Sequence, residues 1–256
     1  MHISQFLQDH VAGWSAPQFD LKCVGKFDYT TSIRPCEYLA YARSDLESAQ
    51  SHRHINGLSN AKRAIDCQVD NILCSFGLSR KPNFPQKMEL LGKMGLINSA
   101  IVRKVVKTRN LLEHEYYNPT PAETEDAVDI ASLFIQATSR PFLAFAEDYF
   151  VADQGTAKPI DSERIVSSIL DGENPSNGYT FEEAFYVEYD SDEKSFWIDC
   201  VHKGKQVEEI EICSRHPFYT RLVRFSIEYD LEHHTYAPEV AGAAFLELMA
   251  DLANEI

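Results

Sequence analysis

The sequence predicts an α-helical up-down bundle of four or five helices, followed by a small α+β domain with an antiparallel sheet. Three observations lead there. Between Pro35 and Phe150, apolar residues recur at helical spacing in long runs joined by short links. Beyond Asp153–Pro159, a polar stretch with Gly155 and Pro159, the apolar period changes from helical to alternating. The charge also divides along the chain. Residues 1–114 carry 15 Lys and Arg against 10 Asp and Glu, whereas residues 115–256 carry 9 against 29. The expected limits are an N-terminal segment over 1–34, the bundle over 35–152 and the acidic α+β domain over 158–256.

Each element has its own reason. Ile3, Phe6, Leu7, Val11 and Trp14 fit a short amphipathic helix, and Phe19 to Tyr29 alternates like an edge strand. Pro35 suits a first helical turn, and Tyr38, Leu39, Ala42, Leu46 and Ala49 mark a buried stripe that ends near Gln50. A second helix spans about His54 to Phe76, with Ile55, Leu58, Ala61, Ile65, Val69, Ile72, Leu73 and Phe76 inward and Gly77 as its stop. Gln86 to Lys93 is a short helix with Met88, Leu91 and Met94 facing in.

A fourth helix runs from Ser99 to Tyr117 and breaks at Asn118-Pro119. Thr120-Pro121-Ala122-Glu123 is a capping box that opens a further helix, with Val128, Ala131, Phe134 and Ile135 inward. That helix is expected to kink at Pro141 and to continue to Phe150. Asp161 opens another helix, and Asn174 to Gly178 reads as a turn. Strands are expected over Phe185–Tyr189, Ser195–His202, Val207–Ser214 and Leu222–Tyr229, with hairpin turns at Asp190–Glu193 and Lys203–Lys205. Pro238 to Asn254 closes as an amphipathic helix through Val240, Phe245, Leu246, Met249 and Leu252.

Composition narrows the function classes. Apolar content of 44% and charged content of 25% are those of an ordinary globular chain. No apolar run approaches the roughly 20 residues that cross a bilayer, and Met1 to Gln5 lacks a signal-peptide pattern, so a cytoplasmic protein without a membrane partner is expected. The six cysteines form no Cys-x-x-Cys pair, and His52, His54, His233 and His234 lack matching ligand spacing. Neither a metal nor a cofactor is expected. Asp66 and Asp70 share a helix face and are expected to meet cations across the bundle.

The chemistry concentrates in Thr108–Tyr117. Between Gly77 and His114 there are eight cations against two anions, Glu89 and Glu113, which favours a polyanion. Arg109 offers a bidentate fork for phosphate oxygens. His114 is the group able to move a proton near neutral pH. Asn110 is one turn from His114 and Glu113 one turn from Arg109, so each is placed to orient its neighbour. Tyr116 ends the row, and Arg103, Lys104 and Lys107 are candidates for phosphate binding. Arg109 and His114, five apart, point about 140° from one another on an ideal helix. Both can touch one phosphate only if the helix end loosens or a second copy of the chain contributes, a geometric reason to expect a homodimer.

The motif Arg109-x4-His114-x-Tyr116, late in a helical bundle, resembles the HEPN superfamily. The likeness covers roughly Pro35 to Phe150. It implies a metal-independent ribonuclease acting on RNA, of the kind found in toxins and defence effectors, and leaving a 2′,3′-cyclic phosphate. It also implies that a nucleotidyltransferase antitoxin is a partner able to modify the tyrosine. The alternative is a non-catalytic HEPN-like module for binding a nucleotide or protein, or for dimerisation. A structural reading stands beside both: His near a helix C-terminus and an Arg–Glu pair at i, i+4 are ordinary surface features.

Overall fold

The computed structural model describes residues 3–97, 118–159, 179–229 and 238–255. The chain divides into two compact units. One is Lys26–Phe145; the other combines Met1–Gly25 with Ala146–Ile256. The described part of the first unit is built on helices. The second carries a five-stranded sheet whose first strand precedes the helical unit in sequence.

Numbered after α1 (Ile3–Phe6), which belongs to the sheet unit, the described α-helices of the helical unit are α2 (Pro35–Glu47), α3 (Arg53–Ser75), α4 (Phe84–Lys93) and α5 (Pro121–Thr138). Helices α2, α3 and α5 pack on one another, and α4 packs on α3. The expected stripes close the core: Leu58, Ala61, Ile65, Val69, Ile72, Leu73 and Phe76 are buried, as are Met88, Leu91, Met94, Val128, Ala131, Phe134 and Ile135. Ile55 differs and is 43% exposed, because it lies in the first turn of α3 beyond the packed stripe. Local chemistry sets the helix ends. Gly77, at φ 64°, lets the Leu78 amide return to the Leu73 carbonyl at 2.7 Å. Asn83 with Gln86 and Thr120 with Glu123 form complete capping boxes. Buried Asn71 accepts from the Thr30 amide at 2.7 Å and donates to the Cys67 carbonyl at 2.8 Å, which ties the segment before α2 to α3. Asp70 receives Lys87 from α4 at 2.7 Å, while Asp66 meets Lys62 of its own helix at 3.6 Å.

The sheet unit opens with α1 (Ile3–Phe6), which runs into a π-turn over Leu7–Val11, and then β1 (Pro17–Gly25). After the helical unit come β2 (Phe145–Asp153), β3 (Ala157–Pro159), β4 (Tyr179–Phe181), β5 (Glu183–Asp190), β6 (Ser195–His202) and β7 (Lys205–Cys213). The main sheet has the order β1-β2-β5-β6-β7, and β3 pairs with β4 separately. Strands β2, β5, β6 and β7 are antiparallel to their neighbours in that row. Helices α6 (Tyr219–Glu228) and α7 (Pro238–Glu255) complete the unit.

One sheet face carries the core. Phe185 meets Phe6 and Phe245 with centroids at 5.2 and 5.6 Å, and Tyr149 meets Phe225 at 5.6 Å. Asp153 accepts the Ser15 and Ala16 amides at 3.2 and 2.8 Å, fastening the N-terminal segment to the end of β2. The opposite face is mixed: Phe150, Ala152 and Ala184 form an apolar cluster with Phe181, Tyr186 and Val201, and carboxylates lie on the same face. Asp148 lies opposite Glu188, and Asp199 opposite Glu209. Burial first, and then the neighbouring carboxylates, pushes the Asp148 and Asp199 carboxyls above their ordinary range; Lys22 offsets part of this at Asp148.

These observations correct the expected fold class. Helices and sheet are interspersed, so the chain is not a four- or five-helix bundle followed by a small α+β domain. The expected helix through Phe150 stops at Thr138. Thr138 and Ser139 side chains bond back to the Phe134 and Ile135 carbonyls, and Arg140–Phe142 forms a 3-10 turn around Pro141. From Phe145 the apolar run is buried on both sides of a strand, and such a run does not reveal its period. The expected linker at Asp153–Pro159 is instead the end of β2, a 3-10 turn and β3. Leu222–Tyr229, expected as a strand, lies largely in α6, where Tyr219, Leu222, Val223 and Ser226 fall on one buried helical face. Val240 is 51% exposed, while Phe245, Met249 and Leu252 are buried as expected. The segments expected as a helix from Asp161 and a turn at Asn174–Gly178 lie outside the described residues.

Candidate functional site

The residues singled out by the sequence, Arg103, Lys104, Lys107, Arg109, Asn110, Glu113, His114 and Tyr116, lie outside the described residues. Their flanks are described. On one side α4 ends at Lys93; on the other the Thr120 cap opens α5. Two of the eight nearby cations are already engaged: Lys87 by Asp70, and Lys93 by Glu89 at 3.1 Å on its own helix. The basic excess available to a polyanion in this stretch is therefore smaller than the count of cations implies.

Within the described residues, the sheet unit gathers a second polar constellation. His10, Glu183 and His202 each present a ligand-type atom, and these atoms all lie within 4.8 Å of one another. Glu183 Oε1 is 3.1 Å from His202 Nδ1 and 3.4 Å from His10 Nδ1. The two imidazoles stack, with centroids 3.8 Å apart and planes 28° apart. Trp14 donates its indole N–H to the other carboxylate oxygen, Oε2, at 3.2 Å. All three cluster residues are partly buried, with side-chain exposures of 15% for His10, 20% for Glu183 and 22% for His202.

Each group arrives by a different route. Glu183 opens β5 and His202 closes β6, directly opposite one another in the antiparallel register. Side chains alternate along a strand, so both share the core-bearing face with Phe185 and Cys200. The β6–β7 turn fixes the end of that pair: Lys203 and Gly204 both take positive φ, 52° and 70°, the combination of a tight type I′ hairpin. His10 comes from the π-turn after α1, a helical irregularity often found at functional sites. Its ring rests on Phe6 at 5.3 Å, and Phe6 rests on Phe185. Cys200, the next inward residue on β6, is buried, and that burial pushes its thiol up to about 12 with help from Glu208 and Asp199. At neutral pH it is a protonated core group and not a thiolate.

Sequence reasoning passed over this cluster. His10 and His202 are 192 residues apart, and no local spacing joins them. The one signal within reach was the β5–β6 hairpin: the turn after Asp190 and the alternation of both strands place Glu183 opposite His202. Nothing local brings His10 to that pair. No family model, no curated protein and no solved structure matches this chain. No helix among the described residues is long and apolar enough to cross a membrane.

Proposed function

We propose that this chain is a metal-independent RNA endonuclease of the HEPN type, with Arg109 and His114 at the reacting phosphate and Asn110 orienting His114. The observation that carries the reading is the motif Arg109-x4-His114-x-Tyr116 in a stretch rich in cations. The described flanks support it: helices with complete caps stand before and after the motif in sequence. In the proposed reaction, the ribose 2′-oxygen attacks the phosphorus and displaces the 5′-oxygen. His114 transfers a proton, while Arg109 neutralises charge on the phosphate oxygens. The products are a 2′,3′-cyclic phosphate and a 5′-hydroxyl. Glu113 and Tyr116 support the site, and Arg103, Lys104 and Lys107 hold the flanking phosphates. A homodimer lets the arginine of one copy and the histidine of another meet one phosphate, and a neutralising nucleotidyltransferase is the proposed regulator.

The second reading is a non-catalytic module for binding a nucleotide or for self-association. The pairing of Lys87 and Lys93 favours it, since that pairing leaves less free positive charge for a long RNA. Cleavage of mixed RNA by the parent, His114→Ala and Arg109→Ala chains separates the two. The ribonuclease reading expects a loss of about 10²-fold or more in each variant. A parent that binds RNA or nucleotide without cutting it leaves the module.

A further inference from the structure

We infer that His10, Glu183 and His202 form a binding site for one divalent first-row transition metal ion, with Zn²⁺ the ion that best matches the donors. The inference is independent of the RNA reading and concerns the sheet unit alone. Two imidazole nitrogens and a carboxylate oxygen make a His₂Glu set, the donor set of three-ligand zinc centres that leave a fourth position to water. Zinc bonds of about 2.0–2.2 Å place tetrahedral ligands roughly 3.4 Å apart. Two edges of this triangle, 3.1 and 3.4 Å from Glu183 Oε1 to His202 Nδ1 and His10 Nδ1, match that spacing.

Three features besides the spacing favour an ion over a simple polar contact. First, both histidines turn the same ring atom, Nδ1, toward a single carboxylate oxygen. Second, Trp14 occupies the opposite oxygen and so orients Glu183 with Oε1 toward the histidines, the outer hydrogen bond that metal-binding carboxylates commonly receive. Third, the histidines ligate as neutral bases, so a bound dication offsets Glu183 without placing two imidazolium rings 3.8 Å apart. The stacked rings need only rotate about their soft terminal torsion to bring both lone pairs onto one ion. The partial exposure of all three residues leaves a route for the ion and for a water in the fourth position.

The test uses the full chain, stripped with chelator and titrated with Zn²⁺ alone by calorimetry, then with Co²⁺ by absorption spectroscopy. One Zn²⁺ per chain is expected. Affinity should fall at least tenfold in His10→Gln, His202→Gln and Glu183→Gln, and about tenfold in Trp14→Phe, which removes an outer hydrogen bond and keeps the packing. Circular dichroism of each apo variant confirms its fold. Should a ligand variant not fold, the Trp14→Phe chain and the parent Co²⁺ spectrum decide the matter. The spectrum should show d–d bands of a nitrogen and oxygen site without thiolate-to-cobalt charge transfer, which excludes the exposed Cys23, Cys36 and Cys213 as the ligands. No Zn²⁺ uptake by the parent, uptake unchanged in the folded variants, or uptake abolished by thiol alkylation overturns the site and leaves Glu183 as a hydrogen-bond partner for two histidines.

Discussion

The two units were built by different kinds of contact. In the helical unit, the signals that start, stop and orient an element lie within a few residues of it: Thr120 with Glu123, Asn83 with Gln86, Gly77 after Ser75. In the sheet unit the decisive contacts span the chain. Asp153 holds Ser15 and Ala16, and His10 meets Glu183 and His202. The difference teaches that local capping defines elements, while distant pairing defines the unit and its candidate chemistry. Damage should follow the same division, local in one unit and far-reaching in the other.

The largest effect should come from Phe185→Ala. Phe185 is fully buried and touches rings from α1, from the segment after it and from α7. The loss should be about 3–5 kcal/mol by chemical denaturation. Hydrogen exchange should show it across β1, β5 and α7, segments far apart in sequence. Gly242→Ala should come next. An added Cβ would stand 2.6 Å from the Pro17 carbonyl carbon and 2.9 Å from the Gln18 amide nitrogen, so α7 must lift from β1. A cost of about 1–3 kcal/mol is expected from that overpacking. If Gly242→Ala leaves the denaturation midpoint unchanged, the close crossing is wrong.

Thr120→Ala should cost about 1 kcal/mol, the usual value of a lost cap, with extra exchange confined to the first turn of α5. Spread of that effect into the sheet unit would break the contrast between local and distant contacts. The smallest effect concerns the carboxylates of the mixed face. Glu188→Gln should stabilise the sheet unit by a few tenths of a kcal/mol, because Glu188 lies opposite Asp148. The pH dependence has the matching sign. The folded Glu147, Asp148 and Asp199 carboxyls take up protons more readily than in the unfolded chain, through burial first and neighbouring carboxylates second. Their contribution to stability therefore grows as pH falls from neutral through the folded values, and is complete below the unfolded ones. Thermal melts at stepped pH should show this rise flattened in Glu188→Gln.

Among the described residues, most of the helical unit was legible because helices advertise themselves locally. The stripes in α3 (Ile55 apart), α4 and α5, the stop at Gly77 and the start at Thr120 fall where periodicity and capping put them. The hairpin β5–β6–β7 was equally legible: its turns at Asp190 and Lys203 carry their own chemistry, and Asp190 Oδ1 accepts the Asp192 and Glu193 amides at 2.8 and 2.9 Å. Two elements were misread. In β2 the strand is buried on both sides, so its sequence shows burial without a period, whereas α6 carries a helical stripe (Tyr219, Leu222, Val223, Ser226) that its β-branched and aromatic residues disguised as a strand. The pairing of β1 with β2 across the helical unit, and the meeting of His10 with His202, leave no trace at short range. The motif at Arg109 and His114 was legible as a motif, and it lies outside the described residues.

The end-groups of RNA cut in excess chelator distinguish chemistry in the helical unit from chemistry in the sheet unit. Fragments with 2′,3′-cyclic phosphate and 5′-hydroxyl ends, produced equally with and without chelator and by the His202→Gln chain, are the predicted result. They would assign the chemistry to Arg109 and His114 in the helical unit. Cleavage that disappears with chelator and in His202→Gln would contradict the account and move the chemistry to the sheet unit.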